Sequence, residues 1–308
     1  MATKTWFITG AGSGFGRELT TRALARGDLV AATTRRPERL ADLDRRYGDQ
    51  LWTAVLDVTD TSAIRRVVGD AFERRGRIDV IVSNAGYGVL GAAEEASDEQ
   101  LLRQINTNLI GSIQLTRAVI PYLRVQGGGR IVQMSSSGGQ VPDPGMSLYN
   151  ATKFGIEGFF ESAAMELAPF GIEVTLVEPG GSRTNFNHAI ALSRPLDAYQ
   201  VGIVGQVRDM LTGDVGPEFM RHAVTGDPAK ITQAIIDSVD VSPAPRRLTL
   251  GASAYEAITA VLRDRLAALE SQRELAYSTD AADILAARTA SSNEAIPPTS
   301  ALQKGARP

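Results

Sequence analysis

Seven short apolar runs punctuate the chain, and the segments between them carry apolar residues at helical spacing. The runs are Thr5–Thr9, Leu29–Thr34, Leu51–Leu56, Ile78–Val82, Arg130–Met134, Ile172–Val177 and Arg247–Leu250. Leu101, Leu102, Ile105, Leu109 and Ile113 mark one face of a long helix from Asp98 to about Arg124. A second follows from Tyr149 through Ile156, Phe160 and Leu167 to Pro169. Further helical patterns cover 37–47, start at Asp227-Pro228 and run from 257 to 274, Pro228 suiting a first helical position. Short, almost wholly apolar strands separated by helices bury both faces of a parallel sheet through right-handed crossovers. The pattern therefore predicts an α/β fold, a doubly wound parallel sheet of about seven strands with helices on both faces, the last run forming an edge strand.

Between the first run and its helix lies a glycine turn, with Thr9, Gly10, Gly12, Ser13, Gly14, Phe15 and Gly16 in succession around Ala11. Strand, glycine turn, helix presents backbone N–H groups and a helix N-terminus to a pyrophosphate, the Rossmann arrangement. At the end of the second run, where an acidic residue binds the adenosine ribose in NAD-dependent proteins, this chain has Thr34, Arg35 and Arg36. Arginine offers a planar, permanently charged fork for a phosphate, so NADP(H) is preferred over NAD(H). Asp57 closes the third run, beside Val58; its carboxylate either accepts from an adenine amino group or caps the helix near Thr61. Asn84, Ala85 and Gly86 follow the fourth run, and Pro179 and Gly180 the sixth. Ligands of such sheets sit beyond the strand C-termini, where all these residues fall.

The chemistry is expected between Ser136 and Lys153. Tyr149 and Lys153 are four apart, so on a helix the ammonium stands beside the phenol. A free phenol has a pKa of roughly 10, and a neighbouring cation favours the phenolate and brings it toward the range useful for acid–base work. Ser136, at the end of the fifth run and flanked by Ser135 and Ser137, is placed to bring its hydroxyl over the tyrosine. Asn106 and Asn108 interrupt the long helix; each either bonds locally or holds a water.

Composition narrows the classes. With 43% hydrophobic and 22% charged residues and a formal net charge of −3, the chain has an ordinary soluble make-up, with no sign of a nucleic-acid or membrane surface. It has no cysteine and only two histidines, His188 and His222, in no metal-ligand spacing, so no metal site is expected. No targeting or membrane-spanning run is seen, and a cytoplasmic location is expected. Residues 1–265 read as one dinucleotide-binding domain, with a weakly periodic apolar insertion at 185–225 as a lid over a lipophilic substrate. Residues 266–308 read as a C-terminal helix and mobile tail.

Taken together, the Thr9–Gly16 turn, Asp57-Val58, Asn84–Gly86, Asn108 with Gly111, Ser136, Tyr149 with Lys153, and Pro179-Gly180 resemble the short-chain dehydrogenase/reductase family over about residues 3–252. The look is closest to its hydroxysteroid-dehydrogenase-like branch. The resemblance implies a catalytic set of Asn108, Ser136, Tyr149 and Lys153. Tyr149 would exchange the proton, Lys153 lower its pKa and bind the nicotinamide ribose, Ser136 bond the substrate oxygen, and Asn108 hold a relay water. The glycine turn would take the pyrophosphate, Arg35 the 2′-phosphate, Asp57 and Asn84 the adenosine side, and Thr184 the carboxamide. It implies hydride transfer between NADP(H) and a ketone or secondary alcohol of a lipophilic small molecule. Val141 and Phe186, with Tyr87 and Leu192, are expected at the substrate. A homodimer or homotetramer is expected by analogy. Rival readings are an epimerase or dehydratase with bound NAD(P), whose usual turn is spaced differently, and a dinucleotide-sensing regulator, which would not need Ser136, Tyr149 and Lys153 together.

Overall fold

A computed structural model describes residues 3–184, 186, 190–212 and 224–284. Seven strands form one sheet: β1 (Thr5–Ile8), β2 (Leu29–Thr34), β3 (Leu51–Val55), β4 (Val80–Ser83), β6 (Gly129–Met134), β7 (Ile172–Pro179) and β9 (Arg247–Leu250). Their order is β3-β2-β1-β4-β6-β7-β9, and every pairing is parallel. The reversal of winding lies between β1 and β4, and the edge strand expected at Arg247–Leu250 is β9. A second sheet pairs two-residue strands, β5 (Val89–Leu90) and β8 (Ala191–Leu192), and so ties the segment after β7 to the loop after β4.

Alternation along β1 shows why the sheet is buried twice over. Phe7 packs with Ile81, Ile131 and Val174 on the face covered by helices α3 (Thr61–Arg75), α5 (Gly111–Val125) and α6 (Ser147–Leu167). Trp6 and Ile8 pack with Val30, Val82 and Val132 on the other face, under α1 (Gly14–Ala25) and the helix Pro228–Val239. All three β1 side chains are wholly buried. Burial on this scale stabilises by about 1.5–3 kcal/mol for each such side chain.

Local chemistry sets the helix starts. Asp60 caps α3 by accepting from the N–H groups of Ser62 and Ala63, and Asp227 does the same for Pro228–Val239. Asp57 therefore does not cap α3; its carboxylate instead accepts from the N–H and hydroxyl of Thr59. Ser97 and Gln100 form a reciprocal capping box at the start of α4 (Asp98–Ile105). The helix expected across 98–124 is interrupted by a π-helical turn at Asn106–Ile110, where the Gly111 N–H donates to the Asn106 carbonyl. A Cβ on Gly111 would come within 2.9 Å of the Val58 carbonyl, so the wide turn fits against the loop after β3.

Residues 1–258 form one compact unit. The second unit, from Thr259, contains the remainder of helix Ala252–Ser271 and the helix Arg273–Ser278. Of the expected lid, β8 and the helix Ile203–Thr212 are described; residues 185, 187–189 and 213–223, His188 and His222 among them, lie outside the described residues, as does the tail from 285.

Candidate active site

The C-terminal ends of the strands open into a cleft of about 980 Å³. Its walls include Gly10, Gly12–Phe15, Arg35, Asp57, Val58, Asn84–Gly86, Ser136, Tyr149, Lys153, Pro179, Gly180, Thr184 and Phe186. The sheet thus gathers residues from six separate loops. A groove of about 800 Å³ elsewhere, lined by Phe72, Tyr122 and Val125, holds none of the expected site residues.

The glycine turn fits a dinucleotide by close approach. A Cβ on Gly12 would lie 2.6 Å from Thr34 Oγ1, and one on Gly16 would lie 2.5 Å from both Asn84 Nδ2 and the Gly10 carbonyl. Gly14, with φ +53°, has nothing within 4 Å of its Cβ position, so its bare backbone faces open cleft. Ser13 makes no side-chain cap, and the first turn of α1 holds no acidic residue, leaving the helix N-terminus to an anion. Asn84 holds this turn in place by donating to the carbonyls of Thr9 (2.9 Å) and Gly10 (3.4 Å).

Beside the turn, Arg35, Arg36 and Arg39 line the end of β2, and the Arg36 N–H donates to Thr34 Oγ1 at 3.2 Å. Arg103, on α4, lines the same region. Burial works against the Asp57 carboxylate, but the Thr59 bonds, with Arg35 and Arg103 nearby, hold its pKa below the ordinary range.

At the other end, the hydroxyls after β6 divide their duties. Ser135 donates to the Glu157 carboxylate, whereas Ser136 accepts from the Gly138 N–H at 3.1 Å and its hydroxyl faces the Tyr149 phenol closely enough to oppose the rise in its pKa. Tyr149 and Lys153 are both buried. The Lys153 ammonium lies 5.6 Å from the Tyr149 ring centroid and donates to the Met134 carbonyl at 2.8 Å. Burial pushes the Tyr149 phenol up to about 12, with Asp143 adding to the rise and Ser136 opposing it. Burial pushes Lys153 down to about 8, against the pull of Glu157. Burial is the largest influence on the phenol in this site. At neutral pH the phenol keeps its proton and the ammonium keeps its charge.

Asn108 stands in the π-helical turn, wholly buried, with Tyr87 and Thr107 forming the cleft wall before it. Its side chain accepts from the Tyr87 N–H (3.1 Å) and donates to the Tyr87 carbonyl (2.8 Å) and the Thr152 hydroxyl (3.2 Å). Thr184 Oγ1 accepts from the Phe186 N–H, and the Phe186 ring tilts over Tyr149 at 5.8 Å. Val141 and Leu192 are not cleft-lining; Asp143 and Ala191 stand in the wall instead. The Val141 backbone closes the loop, its N–H donating to the Ser137 carbonyl and its carbonyl accepting from the Asn150 side chain.

Reading the sequence alone misses Asp143, Arg103 and Glu157. Glu157 joins Lys153 to a buried ionic cluster in which Arg247 bridges Glu157, Glu161 and Glu178. Its one sequence signal is the four-residue step from Lys153.

Residues 4–194 match the short chain dehydrogenase family. A protein of Botryotinia fuckeliana described as oxidoreductase BOA17 is 36% identical over 256 residues, covering 82% of this chain and 91% of its own. A 3-ketodihydrosphingosine reductase of Bacteroides thetaiotaomicron is 38% identical over 179 residues, covering 58% of this chain and 64% of its own. A solved short-chain dehydrogenase of Streptomyces avermitilis superposes with a TM-score of 0.83 at 40% identity, covering 91% of this chain and all of that one.

Proposed function

This chain belongs to the short-chain dehydrogenase family, a family of NAD(P)-dependent oxidoreductases, and from that premise we propose that it reduces a ketone of a lipophilic substrate to a secondary alcohol with NADPH. The observation that carries the reading is the meeting of Ser136, Tyr149 and Lys153 with the glycine turn in one cleft. The arginines at the end of β2 support NADP(H) over NAD(H): three line the cleft where an adenosine 2′-phosphate falls, and the preceding side chain is the neutral Thr34. The ring of Phe186 beside Tyr149 supports an apolar substrate.

The residues divide the work simply. The Ser136 hydroxyl and the Tyr149 phenol line the same cleft, and on this reading both donate to a carbonyl oxygen and polarise it. When bound, the reduced nicotinamide supplies the hydride. Tyr149, kept protonated by burial, gives its proton to the oxygen as negative charge grows there. Lys153, anchored by the Met134 carbonyl, offsets the phenolate left behind and is placed to bind the nicotinamide ribose. Asn108 fixes the Tyr87 backbone, and the role of holding a relay water remains part of this reading. Alcohol oxidation would use the phenolate as base, so on this reading oxidation gains from rising pH while reduction loses from it.

Two further expectations belong to this reading. Leu102, Ile110 and Met165 are exposed on α4–α6, and we place the contact of a homodimer or homotetramer there; light scattering reads it directly. No helix among the described residues is long and apolar enough to cross a membrane, in keeping with a cytoplasmic enzyme. The deciding experiment is cofactor titration of the wild type and Arg35→Ala. NADPH binds several-fold tighter than NADH, and the substitution removes most of that preference. Tighter NADH binding overturns the cofactor assignment; binding of neither overturns the whole reading.

A further inference from the structure

The wall around Tyr149 contains a carboxylate that the reduction does not use. Asp143 lies in the loop between β6 and α6 and lines the cleft. Its Oδ2 and Tyr149 Cε1 both fall within 3.5 Å of the point where a Cβ on Gly138 would stand, so acid and phenol are close neighbours. Its negative charge adds to the rise in the Tyr149 pKa. Burial raises the pKa of Asp143 itself and the Asn150 side chain opposes the rise; no cation among the described residues contributes.

Among the described residues, the cations that line the cleft are Arg35, Arg36 and Arg39 after β2, Arg103 on α4, and Lys153. Arg35 and Arg103 act together on Asp57 and Tyr87, toward the adenosine end. Lys153 donates to the Met134 carbonyl and has Glu157 as its counter-charge. Near Tyr149 the wall includes the Phe186 ring, 5.8 Å from the phenol ring, and behind it Met146 Cε, Ile190 Cγ1 and Phe186 Cζ converge within 3.5 Å of the Cβ position of Gly88. A desolvated carboxylate beside the reacting group, with an apolar wall near it, is complementary to a cation on an apolar body and repels an anion.

We propose that Asp143 determines specificity at the substrate end, selecting carbonyl compounds that carry a protonated amine next to the carbonyl on an otherwise apolar chain. This rests on the carbonyl-reducing reading of the cleft. The amine would meet Asp143 while the oxygen meets Ser136 and Tyr149, and the chain would lie along Phe186. Substrates bearing a carboxylate at the same place would be rejected.

Two arms test it on the full chain loaded with NADPH. The first compares kcat/KM for a long-chain α-(dimethylamino) ketone and its neutral isostere, in which CH replaces the protonated nitrogen. The amino ketone is favoured at least tenfold, Asp143→Asn removes that ratio, and Asp143→Glu retains part of it. The second measures octylammonium and octanoate binding by calorimetry. The cation binds, the anion does not, and Asp143→Asn weakens the cation at least tenfold. If neither ketone turns over while octylammonium still depends on Asp143, the carbonyl-reducing reading falls and the cation site stands. Equal kcat/KM for the two ketones, or octylammonium binding indifferent to Asp143→Asn, overturns the proposal. So does a tenfold change in the NADP⁺-to-NADPH affinity ratio in Asp143→Asn, which would assign the carboxylate to the oxidised nicotinamide.

Discussion

Lys153→Met separates the catalytic use of Lys153 from its cost to the fold. Lys153 is 6% exposed, and burial pulls its pKa from the ordinary 10.5 to about 8. At 1.36 kcal/mol per unit, keeping that proton at pH 7 costs the folded state about 3 kcal/mol. Methionine has a similar shape, carries no charge and packs in the same apolar surroundings. It forfeits the 2.8 Å bond to the Met134 carbonyl, a loss of about 1–2 kcal/mol. The variant should therefore be more stable than the wild type by about 1–2 kcal/mol at pH 7, a rise in Tm of roughly 2–6 °C for a chain of this size, while turnover is lost. The sign with pH follows from the depressed pKa. Between pH 8 and 10.5 the unfolded chain binds more protons at this lysine than the folded one, so wild-type stability rises relative to the variant across that window. The advantage of methionine closes and then reverses. Urea unfolding of both cofactor-free proteins at pH 7 and pH 10 measures it. A variant less stable at pH 7, or a gap that does not change with pH, refutes the reasoning.

Other perturbations probe the surroundings of that lysine and the cradle. Glu157→Gln removes the carboxylate that raises Lys153, so the alkaline limb of the reduction profile moves below pH 8; an unmoved limb means Glu157 acts only on the fold. Arg247→Met leaves Glu157 and Glu178 buried without their cation and should lower stability by about 3–5 kcal/mol in urea unfolding. Gly16→Ala forces its Cβ onto the Gly10 carbonyl and Asn84, and should reduce NADPH affinity at least tenfold in a fluorescence titration while the far-UV spectrum stays native.

The elements that the sequence reveals are those whose signal is local. Thr5–Ile8 reads as a strand because three consecutive large apolar side chains must alternate between two covered faces, and both clusters receive them. The glycine turn and the Tyr149–Lys153 step are legible because each role is met by residues within one turn. The π-helical turn at Asn106–Ile110 is not: an extra residue per turn leaves no compositional trace, and only the fit of Gly111 against Val58 explains it. The pairing of β5 with β8 escapes for another reason, since two residues carry no periodicity.

Charge is the deepest source of the misreading. Lys153, Glu157 and Glu161 stand four apart and would pass for a solvated helix face, yet Lys153 and Glu157 are buried, the first donating to the Met134 carbonyl and the second paired with Arg247, ninety positions away. Spacing alone is likewise blind to two influences on Tyr149. From sequence the nearest charge is Lys153, which favours the phenolate. In the fold, burial dominates and Asp143 adds its own field, so the phenol is held as an acid. Neither desolvation nor a cross-loop neighbour can be read from spacing, and both bear on the reaction. A tyrosine held protonated beside a charged lysine would suit proton donation to a carbonyl oxygen, and the burial that holds it so is a property of the fold that the four-residue spacing does not carry.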